Sequence, residues 1–162
     1  MRSIRVHGGS ENKYNNIRLG LNGRLDTIQA AILIEKLDIF DSELIKRNKI
    51  AKVYTENFKS KLITPFIPNN YKSSWAQYSV VFNSEKERDK TYSFLAKNGI
   101  PSMIYYKIPL HLQKVFKYLN YKVGDMPVCE TISNKILSLP MHPYLNSAEQ
   151  ESIISKLNSI FN

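Results

Sequence analysis

Gln77-Tyr78-Ser79-Val80-Val81-Phe82-Asn83-Ser84-Glu85-Lys86-Glu87 carries the reading of the fold. Tyr78, Val80, Val81 and Phe82 give its first six residues the aromatic and β-branched content of a short strand. Ser84 with Glu87 three residues on is a capping box, which satisfies the open N–H groups of a helix start. A strand therefore runs straight into a helix, and that helix ends at Gly99, a residue suited to a left-handed C-cap. Met103-Ile104-Tyr105-Tyr106 reads as a second short strand. A helical turn from His111 to Tyr118 comes next. Pro127 suits the first turn of another helix, reaching Ile136. Leu137-Ser138-Leu139-Pro140 is extended, and Pro140 confines it to an edge or a strand end. Ser147-Ala148-Glu149-Gln150 caps a last helix, with Ile153, Ile154, Leu157 and Ile160 turned inward.

Upstream, Asp26-Thr27-Ile28-Gln29 opens a long helix, with a kink allowed, that reaches Leu62 before Pro65 and Pro68. Ile28, Ile32 and Glu35 share one face. Leu33, Leu37, Phe40 and Leu44 form an apolar stripe continued by Ala51, Tyr54 and Phe58. Residues 1–24 are rich in Gly, Asn and Arg and read as loop, because Gly8-Gly9-Ser10 and Gly20-Leu21-Asn22-Gly23 tolerate positive φ. The expected organisation is a loop over 1–24, a connecting helix over 25–62 and a small domain over 63–162. The class is α+β, a small sheet covered by helices on one side.

The bulk properties set bounds. At 162 residues the chain suits one compact domain with a core. No internal repeat or low-complexity tract is visible. No apolar run nears the roughly 18 residues of a membrane helix, and the N-terminus lacks the apolar stretch of a secretory signal. One cysteine, Cys129, excludes an intramolecular disulfide and reads as a buried small hydrophobe. A cytoplasmic location is expected, with no membrane partner. The net charge of +9 raises nucleic-acid binding. The lysines are scattered, however, and no helix-turn-helix, zinc-ligand or RNP pattern occurs. The joint abundance of Lys, Asn, Ile and Tyr reads as coding bias. No nucleic-acid partner is expected, and the basic field suits an anionic small substrate instead.

Several runs together resemble a family. They are Arg5-Val6-His7-Gly8-Gly9 with Tyr14, Gly20-Leu21-Asn22-Gly23-Arg24-Leu25-Asp26 through Leu33, Arg47 before Ile50-Ala51-Lys52-Val53-Tyr54, and Gly99-Ile100-Pro101. Tyr105-Tyr106-Lys107-Ile108-Pro109-Leu110-His111-Leu112-Gln113 and Leu137-Ser138-Leu139-Pro140-Met141-His142-Pro143 complete the set. In this order they resemble the C-terminal portion of the DegT/DnrJ/StrS sugar aminotransferases. The resemblance implies a homodimer of the fold-type I class. It implies pyridoxal phosphate (PLP) as cofactor, a nucleotide-linked keto-sugar as substrate and glutamate or a similar amino donor. The product would serve surface polysaccharide or glycan biosynthesis.

The resemblance also implies roles for single residues. Asn22 matches the asparagine that reaches across the dimer to the PLP phosphate, a role its amide donor suits. Arg24 has the planar fork that binds phosphate or polar substrate groups. Tyr105 and Tyr106 fall where the family has a His-Tyr or similar pair that meets the sugar. Tyr105 departs from that pattern by lacking a titrating imidazole. His7 and His111 also match positions near the active-site cleft, and His111 joins Arg24, Tyr105 and Tyr106 as a substrate-binding candidate. No metal is expected, since His7, His111 and His142 are dispersed.

Catalysis of this type needs a lysine whose amine can form an imine. Lys13, Lys36 and Lys107 are the nearest by position, and each reads as a solvated surface lysine. No residue of the chain is therefore assigned as catalytic. By motif order, the chain corresponds to the part of the family's sequence C-terminal to its lysine. The expectation is a chain inactive alone, completed by a separately encoded large PLP domain. The alternatives are a non-catalytic truncated or split-gene product acting as an interaction module and, behind it, a basic nucleic-acid-binding domain.

Overall fold

The computed structural model describes residues 1–12 and 14–161. The described chain divides into two compact units, residues 1–41 and 42–162. In the first, a loop with two isolated antiparallel bridges, Val6 to Asn22 and Gly9 to Asn16, leads into α1 (Thr27–Asp38). The Asp26 carboxylate accepts from the Ile28 amide and caps that helix. The expected long helix is two helices. Ile39 leaves the helical pattern, and α2 (Phe40–Phe58) comes after it. The apolar stripe divides with it. Leu33, Leu37 and Phe40 are exposed, whereas Ile50, Ala51, Tyr54 and Phe58 are buried. Only the second set has a sheet to pack against.

The second unit is built around β1 (Tyr78–Val81) and β2 (Ile136–Leu139), paired antiparallel with Tyr78 opposite Leu139 and Val80 opposite Leu137. Single bridges extend the pair on both sides, Ile63 to Val81 and Met103 to Ser138. The strand expected over Met103–Tyr106 is thus reduced to one paired residue. Residues 105–106 turn away from the sheet instead of continuing along it.

Between the strands lie α3 (Glu85–Lys97), two 3-10 turns (Leu110–Leu112 and Lys114–Leu119) and α4 (Pro127–Lys135). Ser84 caps α3 by accepting from the Glu87 amide, which is one half of the expected capping box; the return bond from the Ser84 amide to the Glu87 carboxylate is absent among the described residues. The last helix, α5 (Ser147–Asn158), is capped one residue earlier than expected. Asn146 and Glu149 form the reciprocal box, and Ser147 is the first helical residue.

The core of this unit is Tyr54, Phe58, Tyr78, Val80, Phe82, Leu95, Leu137 and Leu157, each nearly or wholly buried. Burial pushes the Tyr54 phenol pKa upward, with Tyr78 adding to the shift, and its hydroxyl donates to the Pro140 carbonyl at 3.1 Å. Arg88 is fully buried yet paired. It donates to Asp89 at 2.7 Å and reaches Glu85 and the Ser133 carbonyl at 3.4 and 3.5 Å, tying α3 to α4. Trp75 packs in the core and its indole N–H donates to Asn48.

Candidate functional site

In the first unit, loop 1–24 is held by close backbone approach. At Gly8, φ is +72° and a Cβ would lie 1.7 Å from the Arg18 carbonyl oxygen. Only glycine fits there. The His7 amide donates to the Leu21 carbonyl at 3.1 Å, and the Gly23 amide donates to the Arg5 carbonyl at 2.8 Å. Asn22 therefore sits between two backbone ties. Its carboxamide and the Arg24 guanidinium are exposed, and neither has a hydrogen-bond or ion-pair partner among the described residues. His7, also at positive φ, is exposed.

In the second unit, Tyr105 is half-buried and Tyr106 is exposed. Their rings meet edge-on at 5.5 Å. Both line a cavity of about 690 Å³ together with Pro109, Gln113, Phe116 and Ile132. Tyr105 also lines a smaller cavity of about 320 Å³ with Ser102, Ser138 and His142. The Gln113 amide donates to the Ile108 carbonyl at 3.2 Å and closes the loop after the tyrosines.

His111 takes a different place from the tyrosines. Its side chain is 3% exposed, its Nε2 lies 3.0 Å from Glu130 Oε1, and the Tyr121 ring stands edge-on to it. Glu130 in turn accepts from the Gly124 amide at 2.8 and 3.0 Å and from the Met126 amide at 3.1 Å. These bonds, the one from Gly124 first, hold the Glu130 carboxyl below its ordinary pKa. Glu130 is not among the residues that the sequence motifs single out. Its signal is an acid in the first turn of a helix opened by Pro127, a position from which a carboxylate reaches upstream N–H groups.

Cys129 is exposed rather than buried, because α4 turns it outward beside the larger cavity. Lys36 and Lys107 are exposed, and Lys13 lies outside the described residues. Among the described residues no cluster of His, Cys, Asp or Glu could hold a metal ion, and no helix is long and apolar enough to cross a membrane.

The sequence pattern of the DegT/DnrJ/EryC1/StrS aminotransferases matches residues 1–158. The chain belongs to this family. Within the family, it is 39% identical over 160 residues to a Pseudomonas aeruginosa protein named UDP-2-acetamido-2-deoxy-3-oxo-D-glucuronate aminotransferase, covering 98% of this chain and 43% of that protein. It is 34% identical over 151 residues to the dTDP-3-amino-3,6-dideoxy-alpha-D-galactopyranose transaminase of Aneurinibacillus thermoaerophilus, covering 93% of this chain and 40% of the relative. The crystal structure of a DegT DnrJ EryC1 StrS aminotransferase from Brucella abortus superposes with a TM-score of 0.87 at 46% identity. The match covers 98% of this chain and 42% of that one. The chain thus spans less than half the length of the relatives it matches. The α+β fold is that of the C-terminal portion of these aminotransferases.

Proposed function

We propose that this chain serves a nucleotide-sugar aminotransferase as its substrate- and phosphate-gripping portion, in a reaction that moves an amino group from glutamate or a similar donor to a keto-sugar. The observation that carries this reading is the loop ending at Arg24. It holds Asn22 rigidly by backbone bonds on both sides while leaving two polar side chains unpartnered among the described residues. Such a loop is already organised for an anion, so binding need not order it. The two named relatives act on sugars carrying UDP and dTDP, which supports a nucleoside-diphosphate sugar as the substrate class.

PLP, the cofactor of this family, supplies the electron sink for amino transfer when bound. The residues present fit its phosphate end. The Asn22 carboxamide is a free N–H donor of the kind a phosphate oxygen accepts. Arg24 offers a bidentate fork to phosphate or to sugar hydroxyls. Tyr105 and Tyr106 present ring edges and hydroxyls to the sugar, and His111 secures the loop behind them. No lysine among the described residues is buried. This reading therefore takes the imine-forming amine from outside the described residues. It also includes a second copy of the chain, since Ile28, Ile32, Leu33 and Leu37 leave α1 with exposed apolar side chains that association would cover. A cytoplasmic place in surface-polysaccharide or glycan synthesis completes it.

The test uses UDP-N-acetylglucosamine as probe. Saturable binding to the purified chain is expected, and Arg24→Ala should weaken it about tenfold, the loss of a charge-assisted hydrogen bond. A wild-type chain that shows no binding at millimolar probe overturns the substrate reading. Separately, borohydride treatment with PLP should leave every lysine unmodified by mass spectrometry. A pyridoxyl-lysine would move the reactive amine into this chain.

A further inference from the structure

We infer that Glu130 is a positioning residue, fixing His111 and with it the Tyr105–Gln113 loop that the proposed reading places against the sugar. The inference rests on that reading for the role of the tyrosines, and on geometry for the coupling.

One carboxylate gathers three donors from three places in the chain. His111 comes from the 3-10 turn of the tyrosine loop, Gly124 from the next loop, and Met126 from the residue that precedes α4. Gly124 adopts φ +98°, a conformation that suits glycine, and so its N–H can meet the carboxylate. An ionised carboxylate only accepts, so His111 Nε2 must carry the hydrogen. That fixes the ring's tautomer in the neutral state. Nδ1 is then the lone-pair nitrogen, buried and without a hydrogen-bond partner among the described residues.

The chain of connection continues outward from the ring. His111 lies between Leu110 and Leu112, two residues before Gln113, whose amide closes the loop onto Ile108. Tyr105, Tyr106, Pro109 and Gln113 line the same cavity. A ring that is clamped by Glu130 and met edge-on by Tyr121 leaves this short loop little freedom. Asp125 lies in the turn before α4, where its carboxylate accepts from the Lys122 amide and keeps the 122–125 turn closed; the lysines of the segment, Lys107, Lys114, Lys117 and Lys122, are exposed.

Acid titration gives a second handle on the same clamp. The folded carboxyl is held below 4.5. A carboxylate with a lowered pKa contributes its tie fully above the ordinary value, and the tie is lost as pH falls through the folded one. The Gly124 and Met126 bonds should therefore stay intact down to about pH 4.5 and release only below it.

The test tracks amide exchange at Gly124 and Met126, and the ring signals of Tyr105 and Tyr106, by NMR on the full chain. Glu130→Gln should raise Gly124 exchange by on the order of tenfold, the loss of a charge-assisted bond, and shift both tyrosine signals. His111→Leu should shift the tyrosines likewise. His111→Gln, whose side-chain amide can reach the same carboxylate, should restore them. That rescue separates positioning from a general loss of packing. Tyrosine signals identical in wild type and Glu130→Gln overturn the inference. Should Glu130→Gln fail to fold, the wild-type acid titration decides instead: tyrosine signals that do not move with the Gly124 and Met126 amides below pH 4.5 overturn it. A wild-type chain that passes these tests but ignores UDP-N-acetylglucosamine would sink the substrate reading while the clamp stands.

Discussion

The two units of the chain keep their shape by different means. Among the described residues of 1–41, Gly8 alone is buried, and α1 buries none of its side chains. Residues 42–162 contain the whole hydrophobic core, from Ile50 to Leu157. The first unit is ordered by backbone bonds and glycine contacts, the second by packed aromatic and aliphatic side chains. A loop built the first way holds polar side chains out in solvent without internal partners, which is the condition Asn22 and Arg24 meet among the described residues. A unit built the second way buries charged and titratable side chains against partners, as with Arg88 on Asp89 and His111 Nε2 on Glu130. The contrast explains why the same chain presents open donors at one end and a clamped imidazole at the other.

The largest effect expected from this contrast is in the core. Phe58 is fully buried, stacks on Tyr54 and has no alternative contact with solvent. Phe58→Ala should cost about 3–5 kcal/mol, from lost transfer energy and the cavity left behind. Urea denaturation monitored by tyrosine fluorescence measures it. A loss below about 1 kcal/mol would mean that the second unit is not stabilised chiefly by this core.

A smaller and more local effect is expected at Gly8. A Cβ there collides with the Arg18 carbonyl and forces an unfavourable φ. Gly8→Ala should cost roughly 1–3 kcal/mol of local order, the usual scale of backbone strain. The amide signals of Asn22 and Gly23 should move, while the urea midpoint of the second unit stays where it is. A shift of that midpoint would show that the two units unfold together and would erase the contrast in stability.

Legibility from sequence divides along the same line. Where a side chain's own chemistry decides the structure, the sequence suffices. Ser84 as the cap of α3, Pro127 at the start of α4 and the aromatic-β-branched run at 78–81 all appear where their chemistry puts them. Misreadings arise where tertiary context decides. The stripe through Leu33, Leu37 and Phe40 has helical period, but periodicity does not say whether a partner surface exists. Met103–Tyr106 has strand composition, yet only Met103 finds a pairing partner, on Ser138. Cys129 is apolar by type and outward by helix phase. Asn22 and Arg24 in the first unit and Tyr105 and Tyr106 in the second are candidates that motif alone singles out. Glu130 is not among them, because its significance lies in donors 4 to 19 residues away that only the folded loop gathers.

The smallest expected effect separates the units most cleanly, because the same chemistry occurs in both. Asp26 caps α1 and Asn146 caps α5, each accepting from a backbone amide at 2.9 Å. Replacing either by alanine removes a bond worth about 1 kcal/mol to its helix. In α5 that helix buries Ile153, Ile154 and Leu157, so its stability is part of the global stability of the second unit. Asn146→Ala should therefore lower the urea-derived stability by about 1 kcal/mol. In α1 nothing is buried, and a helix of 12 residues is marginal without packing. Asp26→Ala should fray α1, seen as lost helical signal by circular dichroism, and leave the urea midpoint unchanged. If covering the apolar face of α1 is what stabilises that helix, the fraying should shrink as chain concentration rises and copies associate. Equal losses of global stability from the two caps, at low concentration, would instead mean that α1 is already part of the packed structure.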